Sequence, residues 1–152
     1  MNPAETEAFW QFSLAIYARP GVAERCLALQ DGAGRDVNLL LLALYAGLRL
    51  GRRLDAADFA ALEEAVADWT AQVTAPLRAV RRALKPLADD PAIAALRETA
   101  QGAELDAECQ AQRLLLAALP DGATERPSAD LARTNLAAYA GPAAAALAAA
   151  AL

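Results

Sequence analysis

The sequence predicts an all-α fold: a single compact orthogonal or bundle-like domain of about six to seven helices around a buried central helix. Three observations predict it. Of 152 residues, 43 are alanine and 25 are leucine, two of the best helix formers. No stretch sustains the apolar–polar alternation that marks a strand. Apolar residues instead recur at steps of three and four, as in Phe59, Leu62, Val66, Trp69 and Val73. A chain of this length carries one ordinary domain and buries enough surface to need neither disulfide nor metal for its core. Residues 1–140 are read as that domain, and 141–152 as an Ala-rich, low-complexity tail.

The first helix is expected from Pro3 to about Ala18, with Asn2 as its cap and Pro3 in the first turn. Pro20-Gly21 restarts the chain, and a short second helix follows to about Gln30. The segment Asp31 to Arg35, with two glycines, reads as a loop. Asp36 can cap a third helix containing Asn38 and the run Leu39 to Leu42. That helix is apolar on all sides, so it is expected to be buried on all sides. Asp55, with Asp58 three residues on, starts a fourth helix. Its pattern continues past Pro76, where a kink or short break is expected. Asp90-Pro91 starts a long helix to about Leu119, and Ser128 caps a last one carrying Leu131, Leu136 and Tyr139.

Two blocks carry a family resemblance. The first is Phe9-Trp10-x-Phe12-Ser13-Leu14-x-x-Tyr17. The second is Cys26-Leu27-x-Leu29-Gln30-Asp31-x-x-Gly34-x-Asp36-Val37-Asn38-Leu39-Leu40-Leu41. With the run Pro76 to Lys85 (PLRxxRRxLK) and Glu104 to Glu108 (ELxAE), in this order, the chain resembles a bacterial family known only as a domain of unknown function. The match covers roughly Phe9 to Leu119, with an echo at Asn135-Leu136 and Tyr139. Bulky aromatics usually follow the leucine run in that family, where Leu42 and Tyr45 stand here. The resemblance implies a compact bacterial domain and brings no activity with it.

Composition excludes several classes of chemistry. There is no histidine, which removes imidazole acid–base catalysis and His-ligated metal. The formal net charge of −5 argues against nucleic acid as a general partner. Cys26 and Cys109 are isolated thiols, as in a reducing cytoplasm. The acidic N-terminal segment lacks the positive charge of a secretory signal. Val37 to Leu50 would rise only about 21 Å against a bilayer core of about 30 Å, so no membrane span is expected. The expected location is the cytoplasm.

Three groups of residues could carry function. Arg78, Arg81, Arg82 and Lys85 are spaced to share one helix face, where they could bind an anion or an acidic partner. The alternative is pairing across a helical hairpin, Arg81 near Glu98 and Arg78 near Gln101 or Glu104. Asp31, Gly34, Asp36 and Asn38 form an acidic, glycine-containing loop that could hold a ligand or cation, although capping and turning explain the same residues. Glu104 and Glu108 stand one turn apart and could hold Mg²⁺. The expected function is a non-catalytic binding or interaction module using the Arg/Lys face, with an unidentified protein partner and no cofactor. A small Mg²⁺-dependent enzyme acting on a phosphorylated compound is the alternative.

Overall fold

The computed structural model describes residues 2–152. The fold is all-α. Helix α1 spans Pro3–Tyr17, α2 Val22–Ala33, α3 Val37–Tyr45 and α4 Ala56–Trp69. Helix α5 spans Ala75–Leu84, α6 Pro91–Ala118, α7 Ala129–Ala140 and α8 Ala145–Ala151. Arg52 and Thr124 form one isolated antiparallel bridge.

Local side chains decide where most helices start. Asn2 accepts from the Ala4 amide at 3.0 Å. Asp55 and Asp58 form a reciprocal capping box on α4. Asp90 caps α6 ahead of Pro91, and Ser128 caps α7. Each supplies an acceptor for an amide that has no partner inside its helix.

The expected break at Pro76 takes a specific form. A π turn, Thr70–Thr74, joins α4 to α5 without interrupting the rod. Proline lacks an N–H and its ring crowds the preceding turn. Widening that turn accommodates both defects.

α3 is the buried axis. Leu39, Leu40, Leu42 and Leu44 are wholly inaccessible, and each such burial contributes roughly 1.5–3 kcal/mol. Helices α1, α2, α4, α6 and α7 surround it. Tyr45 stacks on Phe9, ring centroids 4.8 Å apart. The π turn Ala46–Leu50 extends α3 and meets α7 closely, where a Cβ on Gly47 would overlap the Ala132 backbone. The buried Asn135 ties α7 to the next loop: its Oδ1 accepts from Leu54 N at 2.9 Å, and its Nδ2 donates to Arg52 O at 2.8 Å.

The Ala-rich segment 141–152, read from sequence as a tail, packs against the body. Pro142 lies in a short 3-10 turn, Gly141–Ala144, that leads into α8. Leu147 and Ala151 are fully buried, against α2 and α7. Small alanines let this helix approach closely, and Leu147 anchors it. Arg19 Nη1 donates to Ala151 O at 2.6 Å.

Helices α5 and α6 form an antiparallel hairpin. No residue of α5 is fully buried. Trp69 Nε1 donates to Ala107 O at 2.9 Å, tying α4 to α6 below the hairpin. No helix among the described residues is long and apolar enough to cross a membrane.

Candidate functional site

The chemistry-bearing residues gather where the end of α2, the start of α3, the π turn Thr70–Thr74, α5 and the middle of α6 meet. Gly34 takes a φ of 64° as it ends α2, a left-handed conformation natural to glycine. That turn brings Arg35 and Asp36 over the top of α3. Asp36 Oδ1 accepts from Asn38 N at 2.7 Å and Leu39 N at 3.3 Å, capping α3. The Asp36 amide donates to Tyr139 Oη at 2.8 Å, and that hydroxyl donates to Glu63 Oε1 at 3.1 Å. The Arg35 guanidinium lies over the Tyr139 ring, 5.2 Å from its centroid, and 3.9 Å from Glu63. Helix α7 thus fixes the α2–α3 turn from behind.

A polar seam runs inward from this point. Asn38 is buried; its Nδ2 donates to Glu108 Oε2. Gln112 Nε2 donates to Asn38 Oδ1 at 3.0 Å and to Ser13 Oγ at 2.9 Å. Arg78 Nη2 donates to Glu108 Oε1 at 2.7 Å, and Arg78 Nε to Glu104 Oε1 at 3.1 Å. Arg81 Nε also donates to Glu104.

The two glutamates respond to these neighbours in opposite directions. Burial works against the Glu104 charge, but hydrogen bonds from Arg81 and Arg78 outweigh it and hold its carboxyl below the usual range. Glu108 has one arginine. Its burial, joined by the nearby Asp36 charge, outweighs Arg78 and pushes its carboxyl up. Burial also raises Asp36, against its two amides and Arg78.

Above the seam opens a cleft of about 240 Å³, lined by Gln30, Gly34, Arg35, Asp36, Val37, Thr70, Thr74, Arg78 and Glu108. Two of these lining residues each carry a buried polar atom without a hydrogen-bond partner, Arg35 Nε and Thr74 Oγ1. Thr74 is 2% exposed. An unmade hydrogen bond at such an atom costs roughly 1–3 kcal/mol.

The residues singled out in the sequence divide among different places. Gly34 and Asp36 line the cleft, Asn38 lies in the seam beneath it, and Asp31 is exposed in the last turn of α2. The basic run does not present a single surface. Arg78 and Arg81 turn to α6, while Arg82 and Lys85 are exposed. Arg81 pairs with Glu104 rather than Glu98. Glu104 and Glu108 are engaged by guanidinium groups. Among the described residues, no group of three or more His, Cys, Asp or Glu side chains could hold a metal ion.

Arg35, Thr74 and Glu63 belong to this region and carry no sequence signal that marks them. For Tyr139, which also belongs here, the Asn135-x-x-x-Tyr139 echo of the family pattern is the one hint. Burial raises both thiols, that of Cys26 to about 11, and that of Cys109 with help from Glu7 and Asp106. Both are poor nucleophiles at neutral pH.

A family model described as a protein of unknown function (DUF2390) matches residues 8–115, a span that includes the α2–α3 turn, the π turn at Thr74, the hairpin and Glu108. No curated protein and no solved structure matches the chain.

Proposed function

We propose that this chain, which belongs to the DUF2390 family of proteins of unknown function, is a non-catalytic binding domain that takes a small anion-bearing molecule in the Arg35–Thr74 cleft. One observation carries the reading. Arg35 and Thr74, far apart in sequence, line the same cleft, and each has a buried polar atom without a partner, Arg35 Nε and Thr74 Oγ1. Folded proteins satisfy nearly all such groups. A carboxylate or similar oxyanion between them would accept from both. The volume suits a small metabolite, since pockets for drug-sized ligands measure roughly 300–1,000 Å³. The Thr74 hydroxyl has no hydrogen-bonded base, so binding is favoured over catalysis.

A backbone-amide NMR titration with acetate tests it. The expected result is saturable shifts centred on Arg35, Asp36 and Thr74. No shift, or shifts confined to the exposed Arg82 and Lys85, would remove the reading.

A second reading rests on Arg82 and Lys85, which stay exposed on the hairpin and suit an acidic protein partner in the cytoplasm. Changing both to Glu should then abolish cross-linking to that partner; unchanged cross-links would count against it.

A further inference from the structure

We infer that the cleft selects a small zwitterion, an α-amino acid or close analogue, with its carboxylate on Arg35 Nε and Thr74 Oγ1 and its ammonium on Asp36. The inference rests on the anion-binding reading above and adds the second pole. The charged groups lining the cleft are two cations, Arg35 and Arg78, and two carboxylates, Asp36 and Glu108. A plain anion would add negative charge beside two partly buried carboxylates. A plain cation would sit beside two guanidinium groups. A zwitterion adds no net charge and meets both signs.

The carboxylates differ in what they can offer. Both Glu108 oxygens already accept, from Arg78 and from Asn38. Asp36 uses Oδ1 for the two α3 amides, and no described group donates to its Oδ2. Asp36 is therefore the carboxylate with an acceptor to spare. Burial holds its carboxyl above the usual range, and an ammonium nearby would favour the charged form. Thr74, a residue 2% exposed, contributes a buried, unpartnered hydroxyl. Arg35 contributes a donor held in place by its stacking on Tyr139. The carboxylate donors come from Arg35 in the α2–α3 turn and Thr74 in the π turn, and the acceptor is Asp36, the next residue of that same α2–α3 turn.

Isothermal titration with L-alanine, propionate and ethylamine separates the possibilities. The wild-type protein should bind L-alanine at least tenfold tighter than either propionate or ethylamine. In Asp36→Asn, which retains a good helix cap, the ratio of L-alanine to propionate affinity should fall towards one. Thermal melts establish that this variant is folded. Equal affinity for L-alanine and propionate in the wild-type protein would overturn the zwitterion and leave the anion site standing. A tenfold ratio that Asp36→Asn does not change would also overturn the assignment of the ammonium to Asp36. Binding of none of the three compounds would overturn both readings.

Discussion

Arg78 and Glu108, 30 residues apart in sequence, meet at 2.7 Å across the α5–α6 hairpin. The same guanidinium reaches Glu104, and Asn38 of the central helix reaches the same Glu108. The Arg78–Glu108 pair closes the hairpin, the Asn38–Glu108 bond ties it to the central helix, and Arg78 and Glu108 both line the cleft.

Replacing Arg78 by Met should therefore cost on the order of 3 kcal/mol, because a largely buried carboxylate loses its cation. Arg78 and Glu108 side chains are only 23% and 22% exposed. Arg82→Met, on the exposed side, should change stability by less than about 0.5 kcal/mol. Urea denaturation of both variants checks the contrast, and equal effects would contradict the ion-pair arrangement.

Asp36→Asn makes a prediction about pH. Burial, with Glu63 adding to it, raises the folded-state pKa of Asp36 against its amides and Arg78. The folded protein thus holds that proton more tightly than the unfolded chain. Stability is lost as pH rises from about 4, the unfolded value, through the raised folded value. The variant lacks this loss. Its stability relative to wild type should improve between about pH 4 and pH 7, measured by denaturant melts. A constant difference would contradict the burial of that charge.

Two glycines should respond with opposite signs. A Cβ on Gly47 would overlap the Ala132 backbone, where α3 and α7 touch. Gly47→Ala should cost about 1–3 kcal/mol or more. Gly102, inside α6, has open space where a Cβ would stand, with nothing within 4 Å of it. Gly102→Ala should gain about 0.8–1.0 kcal/mol from helix propensity. Thermal melts read both.

Removing residues 141–152 should cost about 2–5 kcal/mol or more. Leu147 is fully buried and its loss alone falls in that range; Ala151 and the Arg19 hydrogen bond go with it. Unchanged stability would mean that α8 is dispensable to the core.

What the sequence revealed was local, and what it hid was distant. Asp36, Asp55, Asp90 and Ser128 are legible as caps because a cap acts within three residues of itself. The leucine run announces a buried helix by lacking any polar side. The hairpin register is harder to read. Arg81 meets Glu104, six residues further along α6 than Glu98, because the pairing depends on where the chain turns between α5 and α6 rather than on spacing within either helix. The Ala-rich end reads as low complexity because its burial depends on Leu147 finding α2 and α7. Thr74 and Arg35 lie about forty positions apart, and nothing in either neighbourhood says that both hydrogen bonds go unmade.

The central claim is that the unpartnered Thr74 hydroxyl is kept for a ligand, and Thr74→Val tests it most directly. Valine keeps the shape and removes the hydroxyl. Denaturant melts of wild type and variant, with and without acetate, give four stabilities. The variant should be the more stable without acetate, since it carries no unsatisfied buried hydroxyl. Acetate should stabilise wild type, by about 2.7 kcal/mol at a hundred times its Kd, and leave the variant unchanged. A variant that is less stable than wild type, or that gains as much from acetate, would contradict the account.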